Sequence, residues 1–130
     1  MLTAEDIEFY NMNGYIILKN AIPQNQIDIC YKNIRKQVPS NNKLLNFWQN
    51  ENTVGEIACD KQVLYTLENL YNETPVPFQT INFFEGTEQK IHSDLIHFSS
   101  DKQKLMCAAW IAFEDITMDQ GPLCFYPKSH

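Results

Sequence analysis

At Thr74-Pro75-Val76-Pro77 the hydrophobic pattern of the chain changes period, and that change restricts the class of fold open to it. Two prolines in four residues do not continue a helix, because each lacks an amide hydrogen and restricts the residue before it. Upstream, apolar residues recur at helical spacing. Thr3 and Asp6 form a capping-box pattern, Leu2 can staple against Ile7, and Gly14 ends the helix they begin. Ile27, Ile29, Tyr31, Ile34 and Val38 mark a second helix over Gln24 to Val38, with Pro39 as its stop. Val63, Leu64, Leu67 and Leu70 mark a third, over Asp60 to Tyr71. Between the first two, Tyr15-Ile16-Ile17-Leu18 reads as a short strand closed by Pro23. Ser40 to Asn52 is rich in Asn and reads as a long irregular connection that could cover a pocket, with Phe47 and Trp48 as core residues.

Downstream the texture is extended. Phe78 to Phe84 and Gln89 to Ile96 read as strands separated by a turn at Glu85-Gly86-Thr87, and a last strand is expected from Pro122 to Tyr126. Leu105 to Phe113 is continuously apolar, as in a strand buried on both faces; a short buried helix would satisfy the same pattern. The expectation is one α+β domain over residues 1–130 with a mainly β core. Residues 1–74 form its helical part and residues 75–130 its first strands.

With 44% hydrophobic and 20% charged residues, the chain has the composition of a globular protein. A net charge of -6 and a pI near 4.9, with no basic cluster, argue against a nucleic-acid partner. No apolar run approaches the roughly 18 residues of a membrane span. The opening Met1 to Asp6 lacks the basic start and apolar middle of a secretory signal, so the expected location is the cytoplasm. Cys30, Cys59, Cys107 and Cys124 are widely separated and read as free, mostly buried thiols.

His92-Ser93-Asp94 carries the most chemical information. In a strand, residues i and i+2 project from one face, so His92 and Asp94 can converge on one metal. An imidazole and a carboxylate are two of the three ligands of the 2-His-1-carboxylate facial triad, which leaves positions on Fe(II) open for a co-substrate and oxygen. The same tripeptide also suits a solvated pair at a strand end.

The surrounding residues narrow the reading. The run from Phe78 to Phe83, then Gly86 to Gln89, His92 to Phe98, Met106 to Ile116, Gln120 to Leu123 and Tyr126 to His130 closely resembles the phytanoyl-CoA dioxygenase family in order and spacing. The Asn13-Gly14-Tyr15 turn is similar to that family's N-terminus. The resemblance implies a double-stranded β-helix, or jelly roll, with N-terminal helices packed outside it. It also implies Fe(II) and 2-oxoglutarate, with O2 used to hydroxylate a small organic or acyl substrate. His92 and Asp94 match the first two iron ligands, and Trp110 matches a pocket-wall aromatic beside the co-substrate. Thr80 and Asn82, with Gln79, lie on the strand that faces the co-substrate in similar enzymes. At Lys128 the family more often has Gly.

The resemblance also implies a second His ligand and an Arg for the far carboxylate of 2-oxoglutarate, both on strands beyond His130. Arg35, the sole arginine, lies in the second helix. The jelly roll is therefore expected to be incomplete at its C-terminal side, with unpaired strand edges through which the chain could self-associate. His130 is expected to stay off the metal, and His97 to fall on the opposite face from Asp94. Two rival readings are a non-catalytic jelly-roll binding module or inactive fragment, and a zinc hydrolase built on His92, Asp94 and His97.

Overall fold

The computed structural model of the chain describes residues 2–37, 39–86, 89–94 and 105–130. Helix α1 spans Ala4–Asn13 and begins at the expected capping box, in which the Asp6 amide donates to Thr3 Oγ1 at 3.1 Å and the Thr3 amide donates back to Asp6 Oδ2 at 2.8 Å. It ends on Gly14, whose φ of 81° is the left-handed conformation that glycine adopts without a Cβ penalty. Helix α2, Gln24–Arg35, turns Ile27, Cys30 and Ile34 inward at three- and four-residue spacing. Helix α3, Asn52–Ala58, answers with Val54 and Ile57. These five side chains are the buried hydrophobic core among the described residues, and Leu44, Phe47, Trp48, Phe84, Ile111 and Phe113 pack around them. Full burial of each large aliphatic side chain contributes about 1.5–3 kcal/mol. Helix α4, Lys61–Tyr71, is capped by Asp60, which accepts from the Gln62 and Val63 amides.

Strands β1, Lys43–Leu45, and β2, Ile81–Phe83, pair antiparallel with Lys43 opposite Phe83, Leu44 opposite Asn82 and Leu45 opposite Ile81. The Asn46 amide donating to the Thr80 carbonyl at 2.7 Å, and the Phe84 amide to the Asn42 carbonyl at 3.0 Å, extend the ladder at both ends. Leu44 and Asn82 face inward. Lys43, Leu45, Ile81 and Phe83 face out. No helix among the described residues is long and apolar enough to cross a membrane.

The chain is α+β as expected, but its core is helical where a mainly β core was expected: it lies between α2 and α3. Tyr15 to Leu18 and Pro122 to Tyr126 run without a ladder partner among the described residues, and the strand over Phe78 to Phe84 shortens to Ile81–Phe83. Residues 89–94 of the expected Gln89 to Ile96 strand are unladdered as well, and the last two lie outside the described residues. Leu105 to Phe113 is neither a central strand nor buried; of its residues Ile111 and Phe113 reach the core. The physical reason is common to all five. An apolar, β-branched run favours an extended backbone, while a strand exists only where a second backbone accepts its hydrogen bonds.

The second helix stops at Arg35, short of Val38, which is itself outside the described residues. Strand β1 lies within the Ser40 to Asn52 connection that reads in sequence as irregular, and helix α3 starts at its last residue and runs through a stretch where the sequence shows no clear element. The Glu51 carboxylate organises the start of α3, accepting from the Thr53 hydroxyl at 2.9 Å and the Thr53 amide at 3.2 Å. All four cysteines are free, but only Cys30 is buried; Cys59, Cys107 and Cys124 are exposed.

The far end of the chain returns to α1. Phe125 stacks on Tyr15 at 4.9 Å between centroids, and Tyr15 meets Phe9 edge-on at 5.6 Å. The Lys128 amide donates to the Asn13 carbonyl at 3.2 Å. Nε2 of His130 donates to the Asn11 carbonyl, also at 3.2 Å.

Candidate functional site

The candidate ligands are carried by an irregular segment, not by the strand that their spacing suggests. They nevertheless converge. His92 Nε2 lies 3.4 Å from Asp94 Oδ1, with the two side chains 28% and 54% exposed. His92 Nδ1 lies 2.7 Å from the Lys90 carbonyl oxygen. A carbonyl only accepts, so Nδ1 carries the hydrogen, and the lone pair of a neutral ring is left on Nε2 beside the carboxylate. Two acceptors facing each other at this distance repel unless a cation lies between them. A proton on Nε2 would turn the contact into an ion pair, and a divalent metal would make it a chelate. Adjacent ligands about 2.1 Å from an octahedral ion are about 3.0 Å apart, close to the spacing found. A ring whose other nitrogen is held by a backbone carbonyl is also the usual state of a metal-binding histidine.

Thr80 and Asn82 sit at and on β2. The Thr80 amide donates to Asn46 Oδ1 at 3.3 Å, while Thr80 Oγ1 and Asn82 Oδ1 are buried with no hydrogen-bond partner among the described residues, as is Trp48 Nε1. A buried polar atom left without a partner costs about 1–3 kcal/mol, so these are places where a polar ligand would gain most. Trp110, expected on a pocket wall, is 52% exposed. Two open clefts among the described residues, of about 540 and 380 Å³, lie elsewhere: one between the 16–19 segment and the start of α4, the other between α2 and residues 112–115. Among the described residues, no group of three or more His, Cys, Asp or Glu side chains could hold a metal ion. His97 lies outside them. His130 packs on α1, where its ring would meet a Cβ added at Gly14 at 2.5 Å.

Sequence reasoning misses a second polar cluster. Tyr10 of α1 and Tyr71 of α4 share a hydrogen bond of 2.6 Å between their hydroxyls, and Tyr71 also donates weakly to the Met106 carbonyl at 3.5 Å. Burial pushes both phenols above their ordinary pKa, and the mutual hydrogen bond adds to the rise at Tyr71. Cys107 is exposed as a residue, and its thiol donates to the Ala108 carbonyl at 3.6 Å; burial pushes the thiol pKa up, the Tyr71 and Tyr10 hydroxyls pull it back, and the Asp94 charge adds to the rise. The three groups stay protonated and neutral at neutral pH. No periodicity links positions 10, 71 and 107, so no sequence signal could have found them.

A family model for phytanoyl-CoA dioxygenase (PhyH) matches residues 39–130. This chain belongs to the phytanoyl-CoA dioxygenase family. The match takes in β1, α3, α4, β2, His92, Asp94 and Trp110, and leaves α1 and α2 outside it. A "Probable phytanoyl-CoA dioxygenase" of Caenorhabditis elegans is 25% identical over 168 residues, covering 100% of this chain and 53% of that protein. The chain therefore spans about half the length of this family relative. No solved structure matches.

Proposed function

We propose that this chain supplies the iron-facing part of a phytanoyl-CoA-dioxygenase-type oxygenase that hydroxylates a small organic or acyl substrate with O2 and 2-oxoglutarate on a jelly-roll scaffold. The observation that carries the proposal is the His92 Nε2 to Asp94 Oδ1 approach of 3.4 Å with Nδ1 held by the Lys90 carbonyl. In this reading His92 presents a neutral nitrogen, and Asp94 offsets one charge of a divalent ion. When bound, Fe(II) with 2-oxoglutarate supplies the activation of O2. Thr80 and Asn82 offer the co-substrate their unpaired oxygens, and Trp110 gives it an apolar wall. The family match across residues 39–130 supports the activity class. Substrate identity does not follow from fold.

The test is titration of the chain with Mn(II), followed by NMR. Paramagnetic broadening is expected to centre on His92 and Asp94 and to disappear in Asp94→Ala. Broadening that spreads over the acidic surface, unchanged in Asp94→Ala, would refute the metal assignment. Catalysis is read separately as succinate formed from 2-oxoglutarate under air. Turnover is expected to be little or none for the 130-residue chain and robust for a version extended through the family's further strands. Robust, Asp94-dependent turnover by the short chain would overturn the expectation that further strands complete the site.

A further inference from the structure

Asn13-Gly14 is the single place in the chain where an asparagine precedes a glycine. In an open chain this pair is chemically labile. Glycine has no side chain to hinder its own amide nitrogen, which can attack the side-chain carbonyl of the asparagine before it. Here the fold occupies every group that the reaction needs. Asn13 closes helix α1, and its Nδ2 donates to the Phe9 carbonyl at 2.9 Å. The Gly14 amide donates to the Tyr10 carbonyl at 2.7 Å, and the Asn13 carbonyl accepts from the Lys128 amide at 3.2 Å. Leaving group, nucleophile and the peptide between them are all held, and the His130 ring packs against Gly14.

We propose that Asn13 is a modification site gated by this closure: it is converted to aspartate or isoaspartate when the end of α1 opens, and the product does not close again. In the open state the Gly14 nitrogen gives its proton to hydroxide and attacks Asn13 Cγ. The new N–Cγ bond closes a succinimide, the Cγ–Nδ2 bond breaks, and Nδ2 leaves as ammonia with a proton taken back from water. Water then opens the ring, at Cγ to leave aspartate or at the backbone carbonyl to leave isoaspartate. The sum is one water consumed and one ammonia released, with no change of oxidation state. Closure is lost because a carboxylate only accepts, so the donor to the Phe9 carbonyl is gone and two acceptors face each other. The new charge also sits at the negative end of the α1 dipole, whose last turn carries no basic residue. In isoaspartate the backbone is longer by one carbon, which moves the Gly14 amide off the Tyr10 carbonyl. Conversion therefore frees the 125–130 segment from the first helix.

The proposal does not use His92 or Asp94, so its fate and that of the oxygenase reading are separate. The experiment follows the 130-residue chain in mildly alkaline buffer by peptide mass mapping, folded and in urea, with circular dichroism to confirm helix content in every variant. Conversion at Asn13 is expected to be at least about tenfold slower in the folded chain than in urea, since only the locally opened fraction reacts. Phe125→Ala, which removes the stack on Tyr15, is expected to speed conversion of the folded chain about three- to tenfold and to leave the rate in urea unchanged. Asn13→Asp, which makes one product directly, is expected to raise hydrogen exchange at the Gly14 and Lys128 amides by at least about tenfold. Equal rates in the folded chain and in urea would overturn the proposal, because the hydrogen bonds would then guard nothing. So would a parent-like rate in folded Phe125→Ala, which would detach the far end of the chain from the gate. Unchanged exchange in Asn13→Asp would overturn it too: the new carboxylate would have found a cation, Lys128 or His130, and the closure would survive conversion.

Discussion

Gly14 is required twice, and replacing it with Ala separates the two requirements. Its φ of 81° puts any L side chain in the left-handed region, at about 1–2 kcal/mol for a residue with a Cβ. The added Cβ would also stand 2.5 Å from His130 Nδ1, 2.6 Å from Cγ and 2.8 Å from Cβ. Rotating the imidazole does not relieve contacts that reach the root of the side chain, so the 125–130 segment must shift. That shift forfeits the His130 to Asn11 hydrogen bond, about 1 kcal/mol. Gly14→Ala should therefore cost about 2–3 kcal/mol, read as a lower urea midpoint by circular dichroism. In a His130→Gly background, which removes all three opposing atoms, the same substitution should cost only the backbone part. Equal costs in the two backgrounds would show that His130 does not press on α1, and the packing of the chain's far end on its first helix would be wrong.

What the sequence discloses is local. The Thr3 to Asp6 box, the Gly14 stop and the inward face of α2 are legible because each depends on residues within one or two helical turns. Helix α3 is hard to see for the opposite reason: seven residues with a central Gly55 have little intrinsic helicity, and packing of Val54 and Ile57 on α2 holds it. Strands fail for a related reason, since the apolar run around Trp110 specifies extension without specifying a neighbour. At the site, the spacing of His92 and Asp94 rests on strand geometry, yet their convergence survives without a strand. A rotamer fixed by the Lys90 carbonyl does the orienting that pleating was expected to do. The Tyr10, Tyr71 and Cys107 cluster could not be read at all, because a contact across 61 residues leaves no periodic trace.

Three further perturbations test the framework. Lys128 has a φ of 66°, a left-handed conformation that favours glycine, so Lys128→Gly should raise stability by about 0.5–1 kcal/mol once the entropy cost of glycine is subtracted; a loss would show that the lysine side chain holds the turn. Ile57→Ala empties part of a small core and should cost about 2–5 kcal/mol, the upper end unfolding the chain outright in a thermal melt; a loss under 1 kcal/mol would place the main core elsewhere. The last concerns acid. Hydrogen bonds from the Thr53 side chain and amide, with a smaller one from Asn33, hold the Glu51 carboxyl below its ordinary value of 4.5. A carboxyl depressed in the folded state binds fewer protons there than in the unfolded chain. Its contribution is therefore complete above pH 4.5 and is lost as pH falls through the lower folded value. Glu51→Gln keeps an acceptor at the start of α3 but removes the titration. Its stability should decline less steeply than that of the parent chain below pH 4.5. Asp6 and Asp119, also depressed, titrate equally in both proteins and drop out of the difference. Parallel curves would mean that Glu51 is no better solvated by Thr53 than by water, and that the start of α3 is held by packing alone.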